Sequence, residues 1–432
     1  MKKVLLVQAP SPIDKPYRFI PFSIAYIAAL LERHNYHPEI YDMDALDRNV
    51  DQFAKDYPSL DFDVIGISSH TVSYKNALRL AKIVKGLNNK AIVVLGGHHV
   101  TFMAKDVFDD SNYVDIVVIG EGETTFLEIV NNTSKNYKPR DLYSIRGIAY
   151  QDGEKVVFTA PRKPENINNL PFPARHLLPM EKYSSNAVIT SRGCPNRCAF
   201  CAGPAIHSYR TREVANVINE LETMLKKDEH FFKDRGVCFL DNTFVNSKTT
   251  FELCQQIKPL DLGWSAESRI NVTSLELLKT MKEAGCVYIH FGIESGSEKV
   301  LSRMHKNISL EDAKIKIDYA LSLGLMVACT FSIGHPDENE DDIEKTIKLI
   351  KELKDKDVTI STSIVTPFPG TLIWNHPDAY QVKIHHRDWE KYTFFNPIMS
   401  TKYLSQDKIG ALFVKVLAET NGYVGFTETK EV

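Results

Sequence analysis

Three cysteines stand close together in Ser191-Arg192-Gly193-Cys194-Pro195-Asn196-Arg197-Cys198-Ala199-Phe200-Cys201. Random placement of the seven cysteines in the chain would give this C-x3-C-x2-C triplet about 0.002 times. Three thiolates this close suit a compact metal cluster held by a single loop. With only three local thiolates, one corner of the cluster has no nearby protein ligand, and a substrate or cofactor can bind there. Structural zinc is the competing reading. It fits less well, because such a site takes four ligands and the nearest further candidate is His207.

The loop needs a scaffold, and the chain before it supplies the first part. Apolar, β-rich runs at Val4–Ala9, Glu39–Asp42, Asp63–Ser69, Ala91–Gly96 and Asp115–Gly120 alternate with helical stretches at Pro21–Arg33, Tyr74–Leu87 and Glu123–Val130. Near-continuous apolar strands separated by helices predict a doubly wound parallel sheet, flavodoxin- or Rossmann-like. Ligands of such sheets bind at the carboxyl ends of the strands. The residues there are Pro10, Ser68, His70, Thr71, Gly96, Gly97, His98, Gly120, Glu121 and Gly122. The glycines and other small residues among them allow close backbone approach to a ligand. Gln8-Ala9-Pro10-Ser11-Pro12 replaces a G-x-G-x-x-G after the first strand, which disfavours NAD. FMN, or a scaffold without ligand, stays open on these residues alone.

Residues 141–183 change character. Tyr143–Tyr150 and Lys155–Ala160 flank Asp152-Gly153 as a β-hairpin, and the Pro- and Asn-rich stretch to Pro179 reads as a surface linker. From 184 the alternation resumes, with strands expected at Ala187–Ser191, Gly236–Asp241, Gly263–Arg269, Cys286–Glu294, Leu325–Gly334 and Val358–Thr366. Consecutive βα units of this kind predict a partial (β/α)6 barrel of the TIM type, with chemistry at the carboxyl ends of its strands. The expected organisation is a doubly wound domain over 1–140, hairpin and linker over 141–183, barrel over 184–372, and a small aromatic-rich helical cap over 373–432.

Composition excludes several classes. A net charge of −3 leaves no basic footprint for nucleic acid. No apolar run reaches the roughly 18–20 residues that span a bilayer. Met1-Lys2-Lys3-Val4-Leu5-Leu6-Val7 is closed by Gln8 and Pro10, too early for a secretory signal, and reads as a first strand. An odd cysteine count without a signal argues for a reducing, cytoplasmic setting. Cys238, Cys254, Cys286 and Cys329 read first as small buried hydrophobes. Cys329, deep on the fifth barrel strand, could instead face a substrate cavity.

The triplet, with aromatic Phe200 before its third cysteine, resembles the radical SAM superfamily. The resemblance implies that Cys194, Cys198 and Cys201 hold a [4Fe–4S] cluster whose fourth iron binds S-adenosylmethionine (SAM). One electron then cleaves SAM to methionine and a 5′-deoxyadenosyl radical. It also implies SAM contacts from Phe200, Asp241, Asn242, Ser268, Arg269 and Glu294. Phe239-Leu240-Asp241-Asn242-Thr243 departs from the superfamily's commoner Gly-Gly-Glu there. For Asp241, Arg269 and Glu294 a buried ion-pair network is the competing reading.

A doubly wound domain ahead of such a barrel resembles the cobalamin-binding members. So do Gly96–Thr101, Val117–Glu123, Gly292–Gly296 and Pro367–Thr371, and the likeness covers residues 1–370. It implies cobalamin on the ten strand-end residues named above. The D-x-H-x-x-G signature is absent, so no histidine is expected as the lower cobalt ligand; for His98 and His99, polar loop packing competes with corrinoid contact. The implied reaction is methyl transfer from methylcobalamin to an unactivated carbon of a small molecule, with a flavodoxin or ferredoxin as electron donor. A radical dehydratase, cyclase or rearrangement enzyme without methyl transfer is the alternative, and a non-catalytic sensor a further one.

Overall fold

The computed structural model describes residues 1–13, 18–134, 137–244, 247–420 and 423–424. The chain divides into two units, Met1–Ser184 with Asp388–Lys391, and Ser185–Arg387 with Tyr392–Val432.

In the first unit, strands β1 (Val4–Gln8), β2 (Glu39–Asp42), β3 (Val64–Ser68), β4 (Ile92–Gly96) and β5 (Ile116–Val118) are parallel in the order β2-β1-β3-β4-β5. β1 and β3 are buried along their whole length, because helices cover both faces of the sheet. The order reverses between β1 and β3, which makes the carboxyl ends of β1, β3 and β4 the ligand-binding edge of this topology.

The segment expected as hairpin and surface linker is part of this unit. Strands β6 (Ile148–Asp152) and β7 (Lys155–Phe158) extend the sheet antiparallel from β5. Leu142, Ile145, Ile148, Tyr150 and Ala174 join the apolar core under helix Phe22–Arg33. Proline and asparagine content suggested a surface path, but these apolar side chains tie the stretch down. Asp388–Lys391 also packs here, through Lys75 Nζ at 2.6 Å from Asp388 and 3.3 Å from Glu390.

In the second unit, β8 (Asn186–Val188) is followed by a small antiparallel ribbon of β9 (Ser191–Arg192) and β10 (Arg210–Thr211). Then come β11 (Val237–Phe239), β12 (Trp264–Ser268), β13 (Cys286–Glu294), β14 (Met326–Ile333) and β15 (Thr359–Ile364). β8 and β11 to β15 form one parallel sheet in chain order, as a partial barrel requires. Val237, Phe239, Trp264, Ala266, Ile289, Phe291, Val327, Phe331 and Ile360 point outward into the core shared with the helices. Cys254, Cys286 and Cys329 lie in that core, and burial raises their thiol pKa values. Cys329 thus faces the helices rather than a cavity.

The C-terminal stretch is not a separate cap. Helix Gln406–Thr420 presents Ile409, Leu412, Phe413 and Val416 to the same outer core. Its apolar stripe packs on the barrel exterior beside helix Glu340–Lys354 and β15.

Candidate active site

The three cysteines sit in the loop between β9 and β10, closed at its base by that ribbon. Gly193 begins it at φ +75°, where a Cβ would stand 2.5 Å from the His207 carbonyl oxygen, so only glycine fits. Ala199 N–H donates to Met304 O (3.1 Å) and Ile373 N–H to Ala199 O (3.2 Å), anchoring the middle of the loop. Asn196 Nδ2 lies 3.5 Å from Cys194 Sγ, and Arg269 Nη1 donates to Cys198 Sγ at 3.0 Å.

Burial raises the Cys201 thiol; the Gly203 N–H opposes this, the Cys198 and Cys194 thiols raise it further, and Lys306 again opposes. N–H donors and cations thus stand around these sulfurs. That donor set fits an anionic iron–sulfur cluster. Among the described residues, no three His, Cys, Asp or Glu side chains are drawn together closely enough to hold a metal ion, the three cysteines included.

Asp241, at the end of β11, is taken up by the scaffold. Its Oδ1 accepts from Thr190 N–H (2.9 Å) and Ser191 N–H (2.7 Å), and its Oδ2 from the Thr190 hydroxyl (2.6 Å). Burial pushes its pKa up to about 6 against the pull of these donors. In this structure it pins the start of the cysteine loop through neutral donors rather than through an ion pair. Buried Arg212 braces the same place, donating to Ile189 O (2.8 Å) and Glu220 Oε2 (2.6 Å).

Glu294 ends β13 at φ +75°, a costly conformation for a residue with a Cβ. Lys306 Nζ lies 2.8 Å from its Oε1, and the Ser332 hydroxyl donates to Oε2 at 3.3 Å. Burial alone would raise this carboxyl, but Lys306, with His335 and Ser332, holds it below its ordinary value. Phe200 lies 5.7 Å from the His335 ring and 6.0 Å from Lys306 Nζ. Phe200, Arg269, Glu294 and the cysteines thus gather at one end of the barrel. Asn242 reaches the edge of the group, since a Cβ on Gly203 would lie 3.1 Å from its Nδ2 and 3.4 Å from Cys201 Sγ. Ser268 turns instead to Thr273, 3.3 Å between hydroxyls.

Lys306, His335 and Glu338 escaped the sequence reading. His335 is wholly buried and pushed down to about 4 by burial; its Nε2 meets the Ser332 hydroxyl at 3.0 Å, while Nδ1 has no partner. Thr243 Oγ1 and Glu338 Oε1 are likewise buried and unmatched. These orphaned polar atoms, with the cations around the sulfurs, fit a bound SAM.

Glu338 Oε2 accepts from Gly334 N–H (2.6 Å) and His335 N–H (3.1 Å), and burial pushes its pKa up to about 8. A carboxyl raised above its unfolded value of 4.5 stabilises the fold fully below that pH, and the contribution is lost as pH rises through 8. Urea midpoints should accordingly fall between those limits, this group adding a slope of up to about 1.4 kcal/mol per pH unit. Glu338→Gln, which keeps an acceptor for both N–H groups, should flatten that part of the profile. An unchanged slope would exclude Glu338 as its source.

In the first unit, the ten strand-end residues line the carboxyl edge of β1, β3, β4 and β5. Pro10 O accepts from Asn76 Nδ2 (3.0 Å), and Ser68 Oγ lies 3.2 Å from Ser23 Oγ. Thr71 is buried, while His70 and His98 are exposed with rings 5.6 Å apart. Gly96 O accepts from Ser69 N–H (3.0 Å). Gly97, at φ +114°, brings the β4 loop so near β3 that a Cβ would stand 2.1 Å from Ser69 O. Gly120 N–H donates to Thr101 Oγ1 (3.1 Å), and half-buried Glu121 and Gly122 lead into helix Glu123–Asn132. Ser69 Oγ is buried without a partner. This glycine-edged cradle with an unmatched hydroxyl fits a corrinoid lying against backbone. His99 points elsewhere: it is buried between Tyr74 and Trp389, 4.4 and 4.6 Å between ring centroids, and burial lowers its pKa to about 3. That is aromatic packing, not metal ligation.

A cysteine-loop barrel joined to a doubly wound sheet defines a two-part radical enzyme, and the comparisons agree. The B12 binding domain model matches residues 15–130 and the radical SAM superfamily model residues 188–350. A Pyrococcus horikoshii protein named an uncharacterized methyltransferase is 36% identical over 406 residues, 91% of this chain and 86% of that one. The anaerobic magnesium-protoporphyrin IX monomethyl ester cyclase of Rubrivivax gelatinosus is 27% identical over 406 residues, 90% and 71% of the two chains. The fold is shared with OxsB, a cobalamin-dependent SAM radical enzyme solved with aqua-cobalamin and SAM, at a TM-score of 0.78 and 19% identity over 96% of this chain and 66% of that one. The chain therefore belongs to the cobalamin-dependent radical SAM methyltransferase family. Among the described residues no helix is long and apolar enough to cross a membrane.

Proposed function

We propose that this chain transfers a methyl group to an unactivated carbon of a small molecule. The observation that carries the reading is the meeting of three thiols with Arg269, Lys306, Glu294 and Phe200 at one end of a barrel whose chain also carries a cobalamin-type cradle. When bound, the cluster and SAM supply a radical that removes hydrogen from carbon, and methylcobalamin supplies the methyl group.

The protein's part is to hold and to exclude. Cys194, Cys198 and Cys201 would anchor the cluster, with the Arg269 guanidinium offsetting charge at Cys198 Sγ. Phe200, Asn242, Arg269 and Glu294 would face SAM; Asp241 would serve it indirectly, by fixing the loop, and Ser268 through backbone. Pro10, Ser68, His70, Thr71, Gly96, Gly97, His98, Gly120, Glu121 and Gly122 would cradle the corrinoid. Reducing equivalents would come from a flavodoxin or ferredoxin in a reducing cytoplasm, where free thiols persist.

The test is anaerobic reconstitution with iron, sulfide and hydroxocobalamin, followed by desalting and reaction with SAM and reductant. S-adenosylhomocysteine formed together with 5′-deoxyadenosine is the expected result. 5′-Deoxyadenosine alone, with no corrinoid retained, would move the reading to radical cyclisation or rearrangement, as the name of the Rubrivivax gelatinosus relative implies for that protein.

A further inference from the structure

The loops assigned above to a corrinoid are joined by one short helix. Helix His98–Phe102 follows directly on Gly97 at the end of β4. The Thr101 hydroxyl donates to Gly97 O (3.0 Å) and accepts from Gly120 N–H (3.1 Å), so it ties the β4 loop to the β5 loop. Gly97 in turn abuts Ser69 O at the end of β3. A tilt of this helix therefore moves all three edges of the cradle together.

His99 lies on this helix, and its surroundings are unusual. A buried imidazole is ordinarily oriented by hydrogen bonds at its nitrogens. Neither Nδ1 nor Nε2 of His99 has one, although the residue is only 1% exposed. Its orientation is set instead by the Tyr74 and Trp389 rings packed against it. The Tyr74 ring is itself fixed, its hydroxyl donating to Asp110 Oδ2 at 2.8 Å. Trp389 comes from near the other end of the chain, in the stretch Asp388–Lys391 that belongs to the first unit. Lys75 holds the same stretch from outside, through Asp388 and Glu390. Exposed ion pairs are individually weak, so the buried indole carries most of the hold.

We propose that Trp389 is a positioning residue for cobalamin. By wedging His99 against Tyr74 it fixes helix His98–Phe102, and through it the Gly97 and Gly120 edges, in the shape that the corrinoid meets. The cobalamin site is then completed by a part of the chain far outside the B12 binding domain match, which ends at residue 130. The inference rests on the reading of the strand-end residues as a corrinoid cradle.

Hydroxocobalamin binding to the full chain, measured by ultrafiltration and corrinoid absorbance, tests it without any turnover. Trp389→Ala should raise the Kd about tenfold, the worth of a strong aromatic contact. Iron uptake at the cysteines and the circular dichroism should stay as in wild type. Trp389→Phe, which keeps a ring against His99, should bind within about threefold of wild type. Trp389→Leu, which keeps apolar bulk without a ring, takes the place of Trp389→Ala throughout if the latter does not fold. The decisive signature is coupling. His99→Ala should weaken binding by a similar factor, and His99→Ala with Trp389→Ala should bind no more weakly than the weaker single variant. Losses that multiply would mean that the two rings act apart. Wild-type affinity in the variant without the indole would mean that Trp389 does not shape the cradle. Either result overturns the proposal. Wild-type protein that holds no hydroxocobalamin would refute the cradle reading itself, an outcome distinct from any difference between variants.

Discussion

Cys198→Ala should abolish SAM cleavage while leaving the fold in place. Cys198 is buried in a loop already held by the β9–β10 ribbon, by Ala199 at both its backbone groups, and by Asp241 at its start. Removing the sulfur deletes an acceptor of Arg269 and leaves that donor unmatched, at about 1–3 kcal/mol. Two units with extensive cores absorb a loss of that size. The cluster has no comparable reserve, because with three protein thiolates each one is a corner. Reconstituted wild type should show a broad absorption near about 400 nm from thiolate-bound iron. The variant should lose both that band and its iron, and 5′-deoxyadenosine formation should drop to background with the circular dichroism unchanged. A variant that retains stoichiometric iron would show that Cys198 is not a ligand. Wild-type protein that takes up zinc and no iron would restore the zinc reading.

Most strands of the first sheet were legible as short, nearly continuous apolar runs, which a sheet covered on both faces demands, whereas barrel strands such as β12 and β15 mix apolar with polar residues. β2 and β13 were expected with the bounds they have, and β1, β3, β4, β5, β8, β11, β12, β14 and β15 lie within three residues of theirs; β6 starts five residues later than expected, and the β9–β10 ribbon was not expected. The hairpin was legible from its turn, but its place in the first sheet was not: joining β5 is a long-range pairing, set by Leu142, Ile145 and Tyr150 finding an apolar core. The C-terminal helix misled for a related reason, since its apolar stripe says that it packs without saying on what.

At the site, the cysteines stood out because their spacing is local, within a single loop. Asp241 illustrates the opposite case. Its position at a strand end suggested a ligand contact, whereas its oxygens accept from Thr190 and Ser191, which lie far from it in sequence. Lys306 carried almost no signal. It sits after a short helix with no motif around it, and only the fold brings its ammonium to Glu294 and Phe200. One hint was available: a lysine between Met304 and Ile308, both buried, is flanked by residues that pull it inward.

That buried lysine carries the largest expected effect on stability. Lys306 and Glu294 are both almost wholly buried, and each is the other's counter-ion. Lys306→Met keeps most of the volume and removes the charge, leaving the Glu294 carboxylate in a low-dielectric setting with only the weak Ser332 bond at 3.3 Å. Breaking one side of such a pair costs about 3–5 kcal/mol, whereas replacing both sides by uncharged groups is often nearly neutral. Urea unfolding at pH 7 should therefore show a large loss for Lys306→Met. Lys306→Met with Glu294→Gln should recover most of it, a coupling that two independent sites would not show. The pH profile supplies a second sign. With Lys306 present the Glu294 carboxyl is held low, so its contribution is present above the unfolded value of 4.5 and is lost as pH falls. Without Lys306 the carboxyl should rise, and the single variant should lose less of its remaining stability on acidification than wild type does. If Lys306→Met unfolds within about 1 kcal/mol of wild type, the pair is not what holds the left-handed end of β13 in place. The SAM-facing role proposed for Glu294 would then need another support.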